Sequence, residues 1–349
     1  MNSAAIPFDA IERHISAAVR YGWSLDALLA NSMIELRHGD HRDTVTPAQH
    51  ALLCMNTNLA AEDATLGMAR IRLPANYPAI GATMMLGCAT LESGIQALCR
   101  LYASASAAVG VQLQTQQDEA ILSIHVDPTV ELDAVYLEEV FLVWMYIQCL
   151  HFLGHAPPIF EVSLRDPFHF SLGRQHWAIR GPVRYGQLTS FRFPRALLGE
   201  PPVSRAGACV IWECQERWLD YVSAGPSMAT AADFVTDTGF VYFADMVRES
   251  GKSANTVRRY LRESQGSFRD ARQRALVNAA MSRLCAGDEN IETIAAELGY
   301  ADTSSFRRFF KRATGLTPQQ VRHQNVIESS TADLRVLLEI KARCEKMNF

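Results

Sequence analysis

No lysine occurs in the first 242 residues of this 349-residue chain, although 15 arginines do. Also missing is any run of 18 or more apolar residues, which excludes a membrane-spanning helix. The opening MNSAAIPFDAIERH has neither a charged n-region nor an apolar h-region, so a secretory leader is not expected and the chain should work in the cytoplasm, away from membranes. The eight cysteines lie scattered in mostly apolar contexts, with no C-x-x-C pair and no histidine at zinc-ligand spacing. That argues against a disulfide framework or a metal site and for buried free thiols. No G-x-S-x-G elbow, H-E-x-x-H, Walker or Rossmann glycine pattern is present, so no catalytic residue, metal or cofactor is expected and the chain reads as a non-enzyme. With 48% hydrophobic and 20% charged residues, disorder and collagen-like repeats are excluded too.

What is present is a segregated charge. The total is −4, which by itself speaks mildly against a nucleic-acid binder. Residues 1–242 hold 15 basic against 24 acidic side chains, a net of −9, whereas residues 243–323 hold 14 against 9, a net of +5. The last 26 residues balance at four of each sign. An acidic body followed by a compact basic block suggests a polyanion-binding module attached to something else.

The body opens with helical patterns. Asp9 can cap a helix with Ile11, Ile15 and Val19 on one face, ending at Gly22, and Ser24 opens a short helix through Leu28 and Leu29. Thr46-Pro47 reads as a cap followed by proline at the first helical position, and Thr90 starts a helix with Leu91, Ile95, Leu98 and Leu101 on one face. The period then drops to two: Val111, Leu113 and Thr115, a turn at Gln116 to Glu119, and Leu122, Ile124 and Val126 predict a hairpin. A helix from about Glu131 to Phe152 is apolar enough to be central and buried. After Pro157-Pro158, IFEVSLR is strand-like. Residues 1–222 therefore read as one α+β domain, and the small, polar stretch 223–239 as a linker.

Two helix-turn-helix patterns occupy the basic block, residues 240–323. In the second, Ile291, Ile294, Ala295 and Leu298 form an apolar stripe, Gly299 can take the positive φ that ends a helix, and Asp302 can cap the next, which runs through Phe306, Phe309 and Phe310 to Gly315. Opposite the aromatic stripe lie Thr303, Ser304, Arg307, Arg308 and Lys311, side chains that can donate to base edges or phosphates in a major groove. A plain solvated face is the alternative. In the first pattern Ser253 caps a helix whose Val257, Tyr260 and Leu261 point inward and whose Asn255, Arg258, Arg259 and Arg262 point out. A helical stretch from Ser267 to about Cys285 separates the two, and nineteen residues at about 1.5 Å each cover roughly 28 Å, near the roughly 34 Å repeat of the groove.

The second pattern, with its helix ending Leu298-Gly299-Tyr300, Ser304 to Phe306, Arg308, Phe310-Lys311, Gly315-x-Thr317-Pro318 and Arg322, resembles the C-terminal signature of the AraC/XylS family of bacterial transcription regulators. The first fits less tidily, with Val247 and Ser250 at small or aliphatic core positions. In the body, residues 77–102 and 181–202 resemble the arabinose-binding-like domain of the ornithine-regulator branch, with Phe191 where leucine is usual. The resemblance implies base contacts from Asn255, Arg258, Arg259, Thr303, Ser304, Arg307 and Arg308, and phosphate contacts from Ser253, Arg262 and Lys311. It further implies an α+β effector domain followed by an all-α DNA-binding domain of two helix-turn-helix units joined by a long helix.

Double-stranded DNA, a small-molecule effector and RNA polymerase are the partners implied, in a homodimer, with activation as the family tendency. A constitutive DNA-binding dimer whose first domain only dimerises is the alternative. For an effector, His151 shares a helical face with Trp144 and Ile147 and could anchor a ligand in an apolar pocket. Arg70 and Arg72, flanking Ile71 in a strand-like run, could hold a carboxylate. Ordinary core packing and surface ion pairing are the competing readings of these residues. The tail, residues 324–349, carries Leu334, Leu337, Leu338, Ile340 and Cys344 and predicts one more amphipathic helix.

Overall fold

The computed structural model describes residues 6–7, 11–12, 14–15, 19, 21–36, 44–69, 71–105, 109–127, 134–165, 171–172, 175–176, 178–223, 276–277, 280, 284 and 289–347, the side chains of 7, 44, 171–172, 175–176, 223 and 323–334 aside. The linker after residue 223, the first helix-turn-helix pattern and Arg70 fall outside these residues.

Helix α1 (Leu25–Asn31) is capped by Ser24, whose hydroxyl accepts from the Ala27 N–H at 3.2 Å. Helix α2 (Pro47–Ala61) starts in a full capping box: the Gln49 N–H donates to the Thr46 hydroxyl at 3.1 Å, and the Thr46 N–H donates to the Gln49 side-chain oxygen at 2.9 Å. Two short strands, β1 (Ile6–Pro7) and β2 (Thr44–Val45), pair antiparallel beside them. Then come α3 (Tyr77–Leu86) and α4 (Leu91–Ala105), opened by Thr90 and Ser93 bonding each other. Gly94 lets these two helices touch, since a Cβ there would meet Met85 Cγ at 2.8 Å.

The predicted hairpin is β3 (Val109–Gln116) and β4 (Glu119–Val126), in register Gln116 with Glu119 across a two-residue turn whose Gln117 has φ 49°. Further along, β5 (Glu161–Leu164), β8 (Val183–Tyr185) and β9 (Thr189–Pro194) complete a five-stranded sheet of order β3-β4-β9-β5-β8, antiparallel except for β5 with β8. A separate small hairpin joins β6 (Ser171–Leu172) to β7 (Gln175–His176). The alternation predicted for β4 appears as Ala120, Leu122, Ile124 and Val126 buried against the helices.

Helix α5 (Ala134–Leu153) is the central helix, buried along almost its whole length between β4 and β9 on one side and α6 (Val210–Ser223) on the other. It is apolar all round because it has no wet face. Glu138, 1% exposed, is compensated: Oε1 takes the Arg165 guanidinium at 2.8 Å and the Val126 N–H at 3.2 Å, and Oε2 takes the Thr189 hydroxyl at 2.8 Å. Buried carboxylates persist when their lone pairs are filled this way.

A second core lies near the C-terminal end, where Leu276, Ala280, Leu284, Ile291, Ile294, Leu298, Phe306, Phe310 and Val321 pack around α7 (Ile291–Glu297) and α8 (Thr303–Thr314). The chain is thus a mixed α/β sheet domain with a helical helix-turn-helix region. No helix among the described residues is long and apolar enough to cross a membrane.

Three local expectations change. Val19 is 48% exposed, so the first apolar stripe comprises Ile11 and Ile15 only. Ile71 and Arg72 sit in coil rather than a strand, with Ile71 half exposed. The tail is helical as expected, but not as a separate helix: α9 (Pro318–Met347) runs unbroken from the helix-turn-helix region to Met347. Its buried stripe is Val336, Ile340, Cys344 and Met347, seated on α2 and α6, while Leu338 is 60% exposed. Ile340 and Cys344 are buried as expected and Leu337 packs beside them, whereas Val336 and Met347 join the stripe unannounced.

Candidate functional site

The helix-turn-helix is built from its caps. Asn290 accepts from the Glu292 N–H at 3.2 Å and opens α7, which ends at Gly299 with φ 80°. Asp302 opens α8: Oδ1 accepts from the Ser305 N–H and Oδ2 from the Ser305 hydroxyl, both at 2.7 Å. These bonds from the Ser305 side chain and backbone hold the Asp302 carboxyl below the usual carboxylate range. Gly315, φ 78°, ends α8, and Thr317 with Gln320 forms a capping box for α9. Tyr300 stacks on Phe306 and Phe309 with centroids 5.5 and 5.3 Å apart, tying the turn to the second helix.

Phe306, Phe310, Ala313 and Thr314 of α8 are buried, whereas Ser304, Arg307, Arg308 and Lys311 are exposed and Thr303 is partly so. Five of the predicted DNA-contacting residues therefore stand on one accessible helix, opposite the aromatic stripe. Arg308 Nη2 donates to Ser305 Oγ at 3.3 Å, and Ser305 in turn donates to Asp302. This chain of bonds orients a guanidinium that is otherwise free to swing. Ser305 was not singled out in the sequence, where it looks like one more serine beside Ser304. Arg322, part of the recognised signature, is turned the other way and donates to the Glu289 carbonyl, bracing α9 against the start of α7. Asn255, Arg258, Arg259, Ser253 and Arg262 lie outside the described residues.

The body holds a cavity of about 110 Å³ between α2, α5 and α6. His50, Cys54 and Asn58 line it from α2, Ala64 and Leu66 from the loop that follows, Trp144 and Ile147 from α5, Gln215 and Trp218 from α6, and Met347 from the end of α9. The loop is held by Asp63, fully buried, whose carboxylate accepts from the N–H groups of Thr65, Gly67 and Leu73 at 2.9, 3.2 and 2.9 Å. Burial pushes His50 down to about 4 and Cys54 up to about 12, so both are neutral at pH 7.

Of the residues chosen for an effector, Trp144 lines this cavity with Ile147. His151 does not: it lies one turn further on, buried, with Nε2 3.7 Å from Glu213. Burial first, then the nearby Arg217, lower its pKa against the opposing pull of Glu213. Arg72 lines a second, more polar cavity of about 280 Å³ with Tyr21, Trp23 and Asp63. Among the described residues no cluster of three or more His, Cys, Asp or Glu could hold a metal. His50, Asn58 and Gln215 were not identified from sequence, since each is one polar residue among several on its helix and only packing brings them together.

Two family models match the chain: the arabinose-binding domain of AraC transcription regulators, N-terminal, over residues 22–202, and a helix-turn-helix domain over residues 246–324. The first alone spans more than half of the chain. A crystal structure of the transcriptional regulator CdpR from Pseudomonas aeruginosa is similar at 18% identity, covering 85% of this chain and 96% of that one, with a TM-score of 0.31. No curated protein matches.

Proposed function

From its membership of the AraC family of transcription regulators, to which this chain belongs, we propose that it is a ligand-responsive activator that reads DNA through two helix-turn-helix units. The observation that carries the DNA reading is α8, an accessible helix with Thr303, Ser304, Arg307 and Arg308 opposite a buried aromatic stripe, Arg308 being oriented through Ser305. These four reach base edges and Lys311 a phosphate. In the first unit Asn255, Arg258 and Arg259 take the base contacts, with Ser253 and Arg262 on phosphates, and the stretch from Ser267 to about Cys285 joins the units at the repeat of the groove.

The domains are then 1–222 for effector binding and dimerisation, 223–239 as linker, 240–323 for DNA and 324–349 as a helical extension. The working form is a cytoplasmic homodimer on promoter DNA, in contact with RNA polymerase. Effector binding shifts the population between arrangements of the body and the basic module, and hence promoter occupancy.

The test is duplex binding by fluorescence anisotropy, with a site enriched by the full chain from random DNA. Arg308→Ala should weaken that site by about 1–3 kcal/mol and leave random duplex binding nearly unchanged. Equal loss on both would remove Arg308 from the base-reading set. Lys311→Ala should weaken both and reduce the salt dependence by about one phosphate contact.

A further inference from the structure

Two residues that line the body cavity each carry a buried amide oxygen without a hydrogen-bond donor: Asn58 Oδ1, in a residue 4% exposed, and Gln215 Oε1, in one 8% exposed. Burying such atoms unmatched costs about 1–3 kcal/mol each, so they mark a place where something is meant to donate. Apart from His50 and Cys54, both neutral at pH 7, the rest of the wall is apolar and aromatic, and no Asp, Glu, Lys or Arg lines it. A charged guest would lose its hydration there with nothing to replace it. The volume, about 110 Å³, compares with the roughly 150 Å³ of an engineered apolar cavity in another protein that holds benzene.

Met347, the last residue of α9, forms part of the wall. Just before it, Arg343 Nε donates to Asn56 Oδ1 of α2 at 2.8 Å, and Cys344 packs on Met55. At its other end the same helix puts Val321 into the helix-turn-helix core and Arg322 onto Glu289. The helix-turn-helix match stops at residue 324, but the helix does not. Thirty residues at about 1.5 Å each make a rod of roughly 45 Å joining the cavity wall to the DNA-reading unit.

We propose that this cavity takes a neutral, mainly apolar compound of about one ring bearing an N–H or O–H donor, and that α9 carries its occupancy to the helix-turn-helix. The inference rests on the reading of the body as ligand-responsive and names its site and its route. A ligand that displaces Met347 changes how the last turns of α9 seat on α2 and α6. Because α9 is continuous, that change reaches Val321 and Arg322. By reciprocity, DNA binding alters ligand affinity by the same factor.

Phenol, toluene and benzoate serve as probes of the full chain, read by melting temperature and by the fluorescence of Trp144 and Trp218. Phenol should raise the melting temperature and change the emission, toluene should bind about fivefold more weakly, the worth of one neutral hydrogen bond of about 1 kcal/mol, and benzoate should do neither. In Gln215→Leu the gap between phenol and toluene should shrink. Ser330→Pro, which breaks α9 midway, should still bind phenol, but phenol should no longer change duplex affinity as it does in the parent chain.

Coupling that survives Ser330→Pro overturns the route. If phenol has no effect while a member of a panel of amino acids, sugars and carboxylates raises the melting temperature equally in the parent chain, in Gln215→Leu and in Ala51→Leu, which adds bulk at another lining residue of the cavity, the site is overturned and the ligand-responsive reading stands. If neither set moves the melting temperature, that reading itself fails.

Discussion

Acid should unfold the body through two buried histidines. His14 is 0% exposed and sits in a directed chain of hydrogen bonds. The Thr57 hydroxyl donates to the Leu53 carbonyl at 2.9 Å, so its oxygen accepts from His14 Nε2–H at 2.6 Å, and His14 Nδ1 is left to accept from the Tyr136 hydroxyl at 3.0 Å. That arrangement suits the neutral ring with its proton on Nε2. Burial, and then the neighbouring His50, push His14 down to about 3, and burial pushes His50 down to about 4.

In the unfolded chain both titrate near the ordinary 6.5, so between that value and the folded ones the unfolded state binds more protons and stability falls as pH falls. At about 1.4 kcal/mol per pH unit, lowering the pH from above 6.5 to 5 removes about 2 kcal/mol for each histidine, about 4 in all, from a total that is typically about 5–15.

All five tryptophans lie in residues 1–222, so urea denaturation followed by tryptophan emission reports on the body alone. The midpoint should fall steeply between pH 8 and pH 5 with the slope unchanged. In His14→Gln the pH 8 value should already be lower, and the further loss to pH 5 about half that of the parent. Midpoints that coincide at the two pH values, or a pH dependence untouched by His14→Gln, would refute the argument.

Other outcomes follow from the packing. Phe310→Ala should cost about 3–5 kcal/mol in the second core, abolishing duplex binding in electrophoretic shifts while leaving the tryptophan-monitored transition of the body in place. Glu138→Ala removes the acceptor for Arg165, Thr189 and the Val126 N–H, and should lower body stability by about 2–4 kcal/mol in denaturant titrations, with little gain from added salt because the carboxylate is buried. Gly94→Ala should destabilise by about 1–3 kcal/mol, since the new methyl meets Met85; trimming the partner in a Gly94→Ala, Met85→Ala double variant should recover part of that loss by relieving the overlap.

Local chemistry was legible wherever neighbours in sequence settle the geometry. Thr46-Pro47 with Gln49, Ser24, Asp302, Gly299 and Gly315 are start and stop signals whose partners lie within a few residues, so reading them needs no knowledge of the rest of the chain. The β3–β4 hairpin was legible for the same reason, and α5 showed its burial by having no polar face. The exposed face of α8 followed from its aromatic stripe by helical period alone. The stripe on α9 followed only in part: Ile340 and Cys344 were legible, but that Val336 and Met347 turn inward while Leu338 faces out was set by α2 and α6.

Sequence alone therefore determined the segregation of charge, the caps, the hairpin and the face of α8, each set by chemistry within one helix or one turn. Tertiary structure decided that His50, Asn58, Trp144, Gln215 and Met347 share a wall, since they come from four helices, with His50 and Met347 separated by 297 positions, and only the fold can bring them together. It also decided that α9 continues past the helix-turn-helix. Residue 323 carries no stop signal, and what holds the far end in place is burial of Ile340 and Cys344 against elements nearly 290 residues away in sequence.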